Sequence, residues 1–148
     1  MTDMPPTPWE MIAERRRKRI VWGLWLATWL LLLAGLVNRA FWGHVVLFSG
    51  LHAVLFFALF RFHVEPFPVQ VRIAYFALVA VGTYVPYMAI LMYLTILGLA
   101  TNLFMGYCPL ARTVFLFPWN REESFSLDLL RRVFFSPPVA GRFKPKPH

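Results

Sequence analysis

The stretch from Ile20 to Val37, IVWGLWLATWLLLLAGLV, is the first of several long apolar runs that decide the fold. A helix needs about 20 mostly apolar residues to cross the roughly 30 Å hydrocarbon core of a bilayer. This run has nearly that length, and it exceeds the apolar segment of about 7–15 residues found in signal peptides. We therefore interpret it as a retained membrane span. It directly follows five basic residues, which are Arg15, Arg16, Arg17, Lys18 and Arg19.

The composition of the whole chain is also typical of an integral membrane protein. Of its 148 residues, 59% are apolar and only 15% are charged. Soluble domains are about 45–50% apolar and about 25% charged. A soluble fold of this size could not bury so much apolar surface. The chain has one cysteine, which excludes a disulfide-rich scaffold.

Three more apolar stretches predict three more spans. Phe41–Phe60 is the second span, and Asn38-Arg39 is the short polar break at which the chain must reverse before it. Residues 61–68, RFHVEPFP, are expected to form a loop because two prolines and a glutamate interrupt any helix there. Val69–Val85 is the third span, and Met88–Cys108 is the fourth.

The predicted fold is an all-α membrane protein whose four transmembrane helices form two antiparallel hairpins. The reversal between the third and fourth spans is expected at Gly82, Thr83 and Pro86, although GTYVPY could instead kink one long tilted helix. Short interfacial helices are expected at both tails. One covers Trp9–Arg19 and runs into the first span, and the other follows the N-cap residue Ser126. Four residues of that second helix, Leu127, Leu130, Val133 and Phe134, are expected to share one apolar side.

The distribution of charge orients the spans. The chain has 15 Lys and Arg residues against 7 Asp and Glu, for a net charge of +8. With both tails in the cytoplasm, all of these basic residues except Arg39 lie on the cytoplasmic side, as the positive-inside rule requires. The charge therefore indicates orientation in a bacterial inner membrane rather than nucleic-acid binding. The predicted parts are a cytoplasmic tail (1–19), a hairpin (20–60), a loop (61–68), a second hairpin (69–108) and a second cytoplasmic tail (109–148).

Two histidines are the candidate functional side chains inside the bilayer. Arg72 falls near the start of the third span, but we count it with Arg61 and Glu65 in the charged segment 61–72 on the cytoplasmic side, so the interior of the spans is expected to hold no Lys, Arg or carboxylate, and no proton relay. His44 and His52 lie about 12 Å apart along one helix, too far to share a metal ion. His52, and less readily His44, could be the axial ligand of a haem or a bacteriochlorophyll. Alternatively, His52 donates a hydrogen bond to another helix.

Small and polar residues predict where the helices pack. Ser49 and Ala53 form a small-xxx-small pair beside His52 that permits close helix packing. Gly98 and Asn102 share one face of the fourth span, and Asn102 is the best candidate for a hydrogen bond between helices. Because His52 and Asn102 fall at comparable depth, a contact between the second and fourth spans is expected. Seven basic residues are expected to dock on partners or anionic lipids: Arg15, Arg16, Arg17, Lys18, Arg19, Arg131 and Arg132.

No grouping of side chains in the sequence predicts catalysis. Cys108 has no second cysteine to resolve a disulfide, so a structural thiol is expected. The sequence contains no glycine-rich phosphate loop, zinc-binding helix or nucleophile–histidine–carboxylate set. We therefore expect a protein that is not an enzyme and that binds no metal.

The second half of the chain resembles a group of small inner-membrane proteins of proteobacteria that have no established activity. The resemblance rests on PFPVQVRIAYFAL, on FMGYCPLARTVFLFPWNR and on RRVFFSPPVAGRF, between Pro66 and Arg142. GYCPLAR and PWNR are its most specific parts. The resemblance implies a bacterial origin and a membrane topology, but no active site. Residues 1–65 lie outside it, so the first hairpin is expected to serve a specific partner.

Three functions are compatible with these features. The first is a non-catalytic accessory subunit of a larger inner-membrane complex, whether respiratory, photosynthetic or monooxygenase, with other membrane subunits as partners. The second is a haem- or bacteriochlorophyll-binding protein that uses His52. The third is a small transporter of a lipophilic substrate, which ranks last because the spans lack a polar lining and an internal repeat.

Overall fold

The computed structural model describes residues 6, 8, 10–121 and 123–136. The expectations for Trp9, for most of the Pro-rich start and for the basic tail after residue 136 concern residues outside these ranges. Within them the chain forms six helices and no strand, which confirms the all-α class. The helices are α1 (Glu14–Val37), α2 (Ala40–Leu59), α3 (Phe67–Tyr84), α4 (Ile90–Met105), α5 (Pro109–Phe115) and α6 (Leu127–Phe135).

Three of these helices, α1, α2 and α3, are long and apolar enough to cross a membrane. The fourth predicted span is shorter than expected. Helix α4 has 16 residues and is followed, after a short break, by α5, which is bent by 98° relative to it. The described part of the chain therefore has three candidate spans, or four if the bent pair is one span. Helix α4 ends at Met105 because Gly106 adopts a left-handed conformation with φ 70°, and Pro109 begins the next helix.

Helix α1 begins at Glu14, well before the expected start of the first span, and contains the whole basic run. The helix that was expected from Trp9 into the first span thus begins later than predicted, since residues 10–13 are not helical, but it does run into the span without a break. Arg and Lys are good helix formers, and the acidic Glu14 suits the positive end of the helix dipole. Lys18 Nζ lies 3.0 Å from the Glu14 carboxylate, which adds one favourable pair in the first turns.

The breaks between the long helices lie close to the predicted positions. Asn38 ends α1, and its Oδ1 accepts a hydrogen bond from Ala40 N at 3.0 Å. Residues 85–89 are not helical, so GTYVPY is not a kink within one continuous helix. Met92 of α4 then lies against Gly82 of α3, where an ideal Cβ would come within 2.9 Å of the Met92 sulfur. The glycine thus allows the closest approach between these two helices.

The four long helices form a ring in which the backbone of each helix lies next to those of two others, and the Trp42 and Tyr93 rings, 5.9 Å apart between centroids, meet across the diagonal of α2 and α4. Helices α1 and α3 each contact both α2 and α4, so α2 and α4 lie diagonally opposite. Two indoles of α1 bind backbone carbonyls of α4: Trp22 Nε1 donates to Leu103 O and Trp29 Nε1 donates to Ile96 O, both at 3.2 Å. Such bonds are valuable in a bilayer, because there is no water to satisfy an indole N–H.

A second, smaller layer covers the end of the bundle at which α1 and α3 begin. We call this layer, residues 107–121 and 123–136, the end plate. Its core consists of Phe115, Leu129 and Val133, with Phe67 of α3 packed against it. Ser126 caps α6 as predicted, since its Oγ accepts from Leu129 N at 3.1 Å. The expected apolar side of α6 is partly wrong, because Leu127 is exposed while the helix buries Leu129 and Val133.

Replacing Gly35 by alanine is expected to destabilise the bundle. An ideal Cβ at Gly35 would lie 1.9 Å from Cδ1 of Trp42, whose buried indole donates to Leu32 O at 3.4 Å. The indole would have to move, and overpacking of this kind costs about 1–3 kcal/mol. Thermal unfolding in one detergent measures the effect. Gly23→Ala is the matched control, because its Cβ would meet nothing within 4 Å. Equal melting temperatures for the two variants would contradict this contact.

Candidate functional site

A buried arginine inside a helix that is long and apolar enough to cross a membrane is the most unusual feature of the structure. The charge pattern groups Arg72 with the solvated charges of residues 61–72, but Arg72 lies in the second turn of α3 and is only 5% exposed. The expectation that the spans hold no Lys or Arg is therefore wrong. Helix α3 begins early because Pro66 and Pro68 suit the start of a helix. An ionisable side chain in such a helix is costly and marks a candidate site.

Aromatic rings from two other helices enclose the guanidinium of Arg72. Its Cζ lies 3.4 Å from the centroid of the Phe56 ring on α2 and 5.6 Å from that of the Trp25 ring on α1. Its Nη1 donates a hydrogen bond to Pro68 O at 2.8 Å, one turn back along α3. The side chain thus carries its charge towards the start of the helix, as long basic side chains do near membrane surfaces.

The charge of Arg72 has no carboxylate partner among the described residues. The ion pairs found there involve Glu14, Glu123 and Asp128, none of which pairs with Arg72. The Nε of Arg72 is buried without a hydrogen-bond partner. A desolvated cation–π contact contributes about 2 kcal/mol, whereas burial of an ion costs several kcal/mol. The site therefore keeps a positive charge and an unused donor, a combination that is complementary to an anion.

His52 belongs to the same cluster as Arg72. Its ring lies 5.1 Å from Trp25, 5.4 Å from Phe56 and 6.1 Å from Phe48, measured between ring centroids. Its Nε2 is buried without a hydrogen-bond partner. A nitrogen in this state could bind a metal, but the surrounding rings leave no flat space for a macrocycle. A haem or bacteriochlorophyll on His52 would require these rings to move apart.

Two more polar groups in the interior lack partners. The hydroxyls of Ser49 on α2 and Tyr75 on α3 are buried without a hydrogen bond among the described residues. The Tyr75 ring packs edge-on against Trp25, with 5.0 Å between centroids. Trp25 thus contacts Tyr75, Arg72 and His52. An unpaired buried hydroxyl costs about 1–3 kcal/mol, so this concentration of unpaired groups makes the interior around Trp25 the candidate site.

A cavity of about 290 Å³ lies beside this cluster, between α3, α4 and α5. Trp25 and Tyr75 line it, so they belong to both the cluster and the cavity. Gly98 and Asn102 also line it, and an ideal Cβ on Gly98 would meet only Pro109, at 3.9 Å. The face of α4 that was expected to pack tightly on another helix therefore borders open space.

The predicted pair between His52 and Asn102 does not form. Helices α2 and α4 are diagonal in the ring, and Asn102 borders the cavity while His52 does not. Equal depth alone could not show which helices are neighbours. Ser49 and Ala53 are buried as helix-packing residues should be. His44 is exposed, and its Nδ1 lies 3.2 Å from Ala40 O in its own helix.

The basic residues chosen from the sequence have different surroundings. Arg15, Arg16, Lys18, Arg19 and Arg131 are exposed. Arg17 is half-buried, and its Nε has no hydrogen-bond partner.

Arg132 is engaged within the chain. Its Nη2 lies 2.7 Å from a Glu123 oxygen and its Nε lies 3.0 Å from an Asp128 oxygen. The hydrogen bond to Glu123, with the charges of Glu123 and Asp128, raises the pKa of Arg132 above its usual value. Arg132 therefore stabilises α6, and its charge is less available to lipid phosphates than that of Arg131.

The motif GYCPLAR holds the end plate together. Arg112 is 3% exposed, and its Nη1 donates to the carbonyl oxygens of Val133 and Ser136 and to the Ser136 hydroxyl. Its Cζ lies 4.0 Å from the centroid of the Tyr107 ring, and the Tyr107 hydroxyl donates to Phe134 O at 2.7 Å. Cys108 caps α5, since its Sγ accepts from Ala111 N at 3.4 Å. The arrangement is compatible with the expected structural thiol.

The motif PWNR fastens the end plate to α3. Gln70 Oε1 accepts hydrogen bonds from Asn120 Nδ2 at 2.6 Å and from Trp119 Nε1 at 3.1 Å. Asn120 Nδ2 also donates to Val114 O at 2.9 Å. We assigned no role to Gln70 or Asn120 from the sequence. Their positions within two stretches singled out from the sequence, PFPVQVRIAYFAL and FMGYCPLARTVFLFPWNR, were the one signal that could have identified them.

No protein-family model, curated protein sequence or solved structure matches the chain.

Replacing the two buried arginines by methionine is expected to change stability in opposite directions. Arg72→Met removes a charge without a partner, so the free energy of unfolding is expected to rise by about 1–2 kcal/mol. Arg112→Met removes charge-assisted hydrogen bonds to Val133 and Ser136, so the free energy of unfolding of this variant is expected to fall by about 2–4 kcal/mol. Thermal unfolding of both variants in the same detergent measures this. A large loss of stability in Arg72→Met would show that Arg72 is paired within the chain.

Proposed function

We propose that the protein is a non-catalytic accessory subunit of a larger membrane complex, and that its end plate is the docking surface. In this proposal the membrane is a bacterial inner membrane. The respiratory, photosynthetic and monooxygenase complexes remain the candidate classes. Both chain ends lie in the cytoplasm, and the four spans form two antiparallel hairpins.

The rigid attachment of the end plate is the observation that carries the proposal. Polar side chains of PWNR fasten this layer to α3, and Arg112 of GYCPLAR holds its two helices together. Gln70 binds Asn120 and Trp119, and Arg112 binds the last turn of α6. Loops at membrane surfaces are ordinarily mobile, so a layer held by so many directed bonds favours a surface that must keep its shape. A fixed shape is what a docking surface between subunits requires.

The exposed rim of the end plate has the composition of an interaction surface. Aromatic and aliphatic side chains protrude from it, and Arg131 is exposed between them. Apolar side chains outside the spanning helices are costly in water and favourable against a partner. Tyr, Trp, Phe and Arg are also enriched at the centres of protein interfaces. The protruding residues are Trp119, Phe125, Leu127 and Phe135, all more than half exposed.

The distribution of charge supports the proposed orientation of the protein in the membrane. Basic residues are concentrated in α1 before the apolar run, in the loop before α3 and in α6, and these segments meet at one end of the bundle. At the other end, the turn between α1 and α2 contains Arg39 and the turn between α3 and α4 has no charge. The positive-inside rule places the basic end in the cytoplasm.

Blue-native electrophoresis of the natural host's membranes tests the docking proposal. The native chain is expected to migrate in a large species, and Leu127→Ser with Phe135→Ser is expected to release it as a small one. Both side chains are more than 75% exposed, so the replacement should leave the fold intact. The matched control is Tyr87→Ser, at the opposite end of the bundle and 97% exposed. Migration of the native chain only as a small species would refute the accessory role.

The pigment- or haem-binding alternative is favoured by one observation, the unpartnered Nε2 of His52. It has a direct test in the absorption spectrum of the protein purified from its natural membrane. The accessory-subunit proposal expects no Soret or bacteriochlorophyll band. A band that disappears in His52→Ala but not in His44→Ala would establish the alternative, because His44 is exposed and bonded within its own helix.

A further inference from the structure

We infer that the cavity between α3, α4 and α5 binds one acyl chain of an anionic phospholipid, from the leaflet on the side of the end plate. The inference concerns the interior of the bundle. It is independent of the docking proposal, which concerns the exposed rim of the end plate.

The lining of the cavity has the chemistry of a hydrocarbon site. Stripes of apolar residues from two helices face each other across it. Polar groups reach it only at a few points, among them the amide of Asn102 and the thiol of Cys108. A volume of about 290 Å³ is at the lower end of the range for ligand pockets, which begins at about 300 Å³. The apolar stripes are Val71 and Leu78 on α3 and Leu91, Leu94 and Leu99 on α4.

The length of the cavity matches one leaflet of a bilayer. Its lining on α4 extends from Leu91 to Asn102, a rise of roughly 16 Å in an α-helix. Half of the hydrocarbon core of a bilayer is about 15 Å thick. At one end the cavity meets Pro109 and Thr113 of α5, where the chain turns away from α4. A single acyl chain that enters under α5 would therefore fill the cavity along its whole length.

Charge at the α5 end selects the headgroup. Arg72 lies on α3 between Val71 and Tyr75, which both line the cavity, and it has no carboxylate partner among the described residues. Arg17 lies two turns before Trp25 on the same face of α1, and its Nε is also unpartnered. Arginine binds phosphate oxygens through charge-assisted hydrogen bonds. A phosphate at this level complements both cations, whereas a neutral lipophile would leave them unpaired.

Specificity for one bound lipid has to come from shape and charge. A free acyl chain in the bilayer is already in an apolar solvent, so burial in the protein gains little from the hydrophobic effect. Close packing along the leucine stripes and pairing of the headgroup supply the difference. The unpaired charge of Arg72 in the isolated chain is then explained, because the lipid supplies its counterion.

Native mass spectrometry of the delipidated protein in detergent tests the inference. Phosphatidylglycerol and phosphatidylcholine are titrated separately. The native chain is expected to retain one phosphatidylglycerol at concentrations at which phosphatidylcholine is not retained. Gly98→Leu, which fills the cavity, is expected to weaken this binding about tenfold or more, a difference of about 1.4 kcal/mol. Gly23→Leu is the matched control and should bind as the native chain does, since an ideal Cβ at Gly23 would meet nothing within 4 Å.

A second pair of variants tests the headgroup. Arg72→Gln is expected to abolish the preference for phosphatidylglycerol, whereas Arg39→Gln, at the opposite end of the bundle, is expected to keep it. Equal retention of both lipids by the native chain, or unchanged binding in Gly98→Leu, would overturn the inference. Retention of a neutral lipophile in place of phospholipid would overturn it as well.

Discussion

The packing of Trp25 against three polar residues is the contact on which the rest of the bundle depends. One indole on α1 touches His52 of α2 and both Arg72 and Tyr75 of α3, and its other side borders the cavity against α4. All four long helices therefore meet around a single side chain. A large aromatic ring can do this because its face accepts a cation while its edges pack against other rings. The polar groups without a partner in the interior, on His52, Arg72 and Tyr75, are concentrated around this indole.

The same arrangement explains why the chain tolerates a charge within a spanning helix. Arg72 lies near the start of α3, and its side chain runs back towards Pro68 and not towards the middle of the bilayer. The end plate is bonded to α3 close to Arg72, because Asn120 donates a hydrogen bond to Gln70, which is two residues before Arg72. The two motifs that make the second half of the chain distinctive thus stabilise the region beside the candidate site. Their residues act by hydrogen bonding to backbone and side chains.

The sequence was sufficient to predict where most of the long helices lie along the chain, but it was insufficient to predict which helices are neighbours in the bundle. Long runs without charge predicted the spans because only a helix satisfies its own backbone in lipid. The basic run was correctly expected to be helical, since Arg and Lys favour helix, but the helix begins at Glu14 and not at Trp9, and no capping side chain in the sequence marks that start. The burial of Arg72 was missed because one charge next to a loop looks solvated in a linear pattern. The expected contact between His52 and Asn102 required knowledge of the order of helices around the ring, which depth along the chain does not contain.

The short fourth helix has a mechanical consequence for the surrounding bilayer. Sixteen helical residues rise about 24 Å, less than the roughly 30 Å of a typical hydrocarbon core. Because α5 turns away by 98°, it cannot supply the missing height. If the bent pair of α4 and α5 is a fourth span, lipids beside α4 compress or tilt, whereas those beside α1 need not. Hydrophobic mismatch on one side of the molecule favours thin membranes. It also favours association of another membrane protein with α4, because a neighbour that covers this helix relieves the deformation of the bilayer.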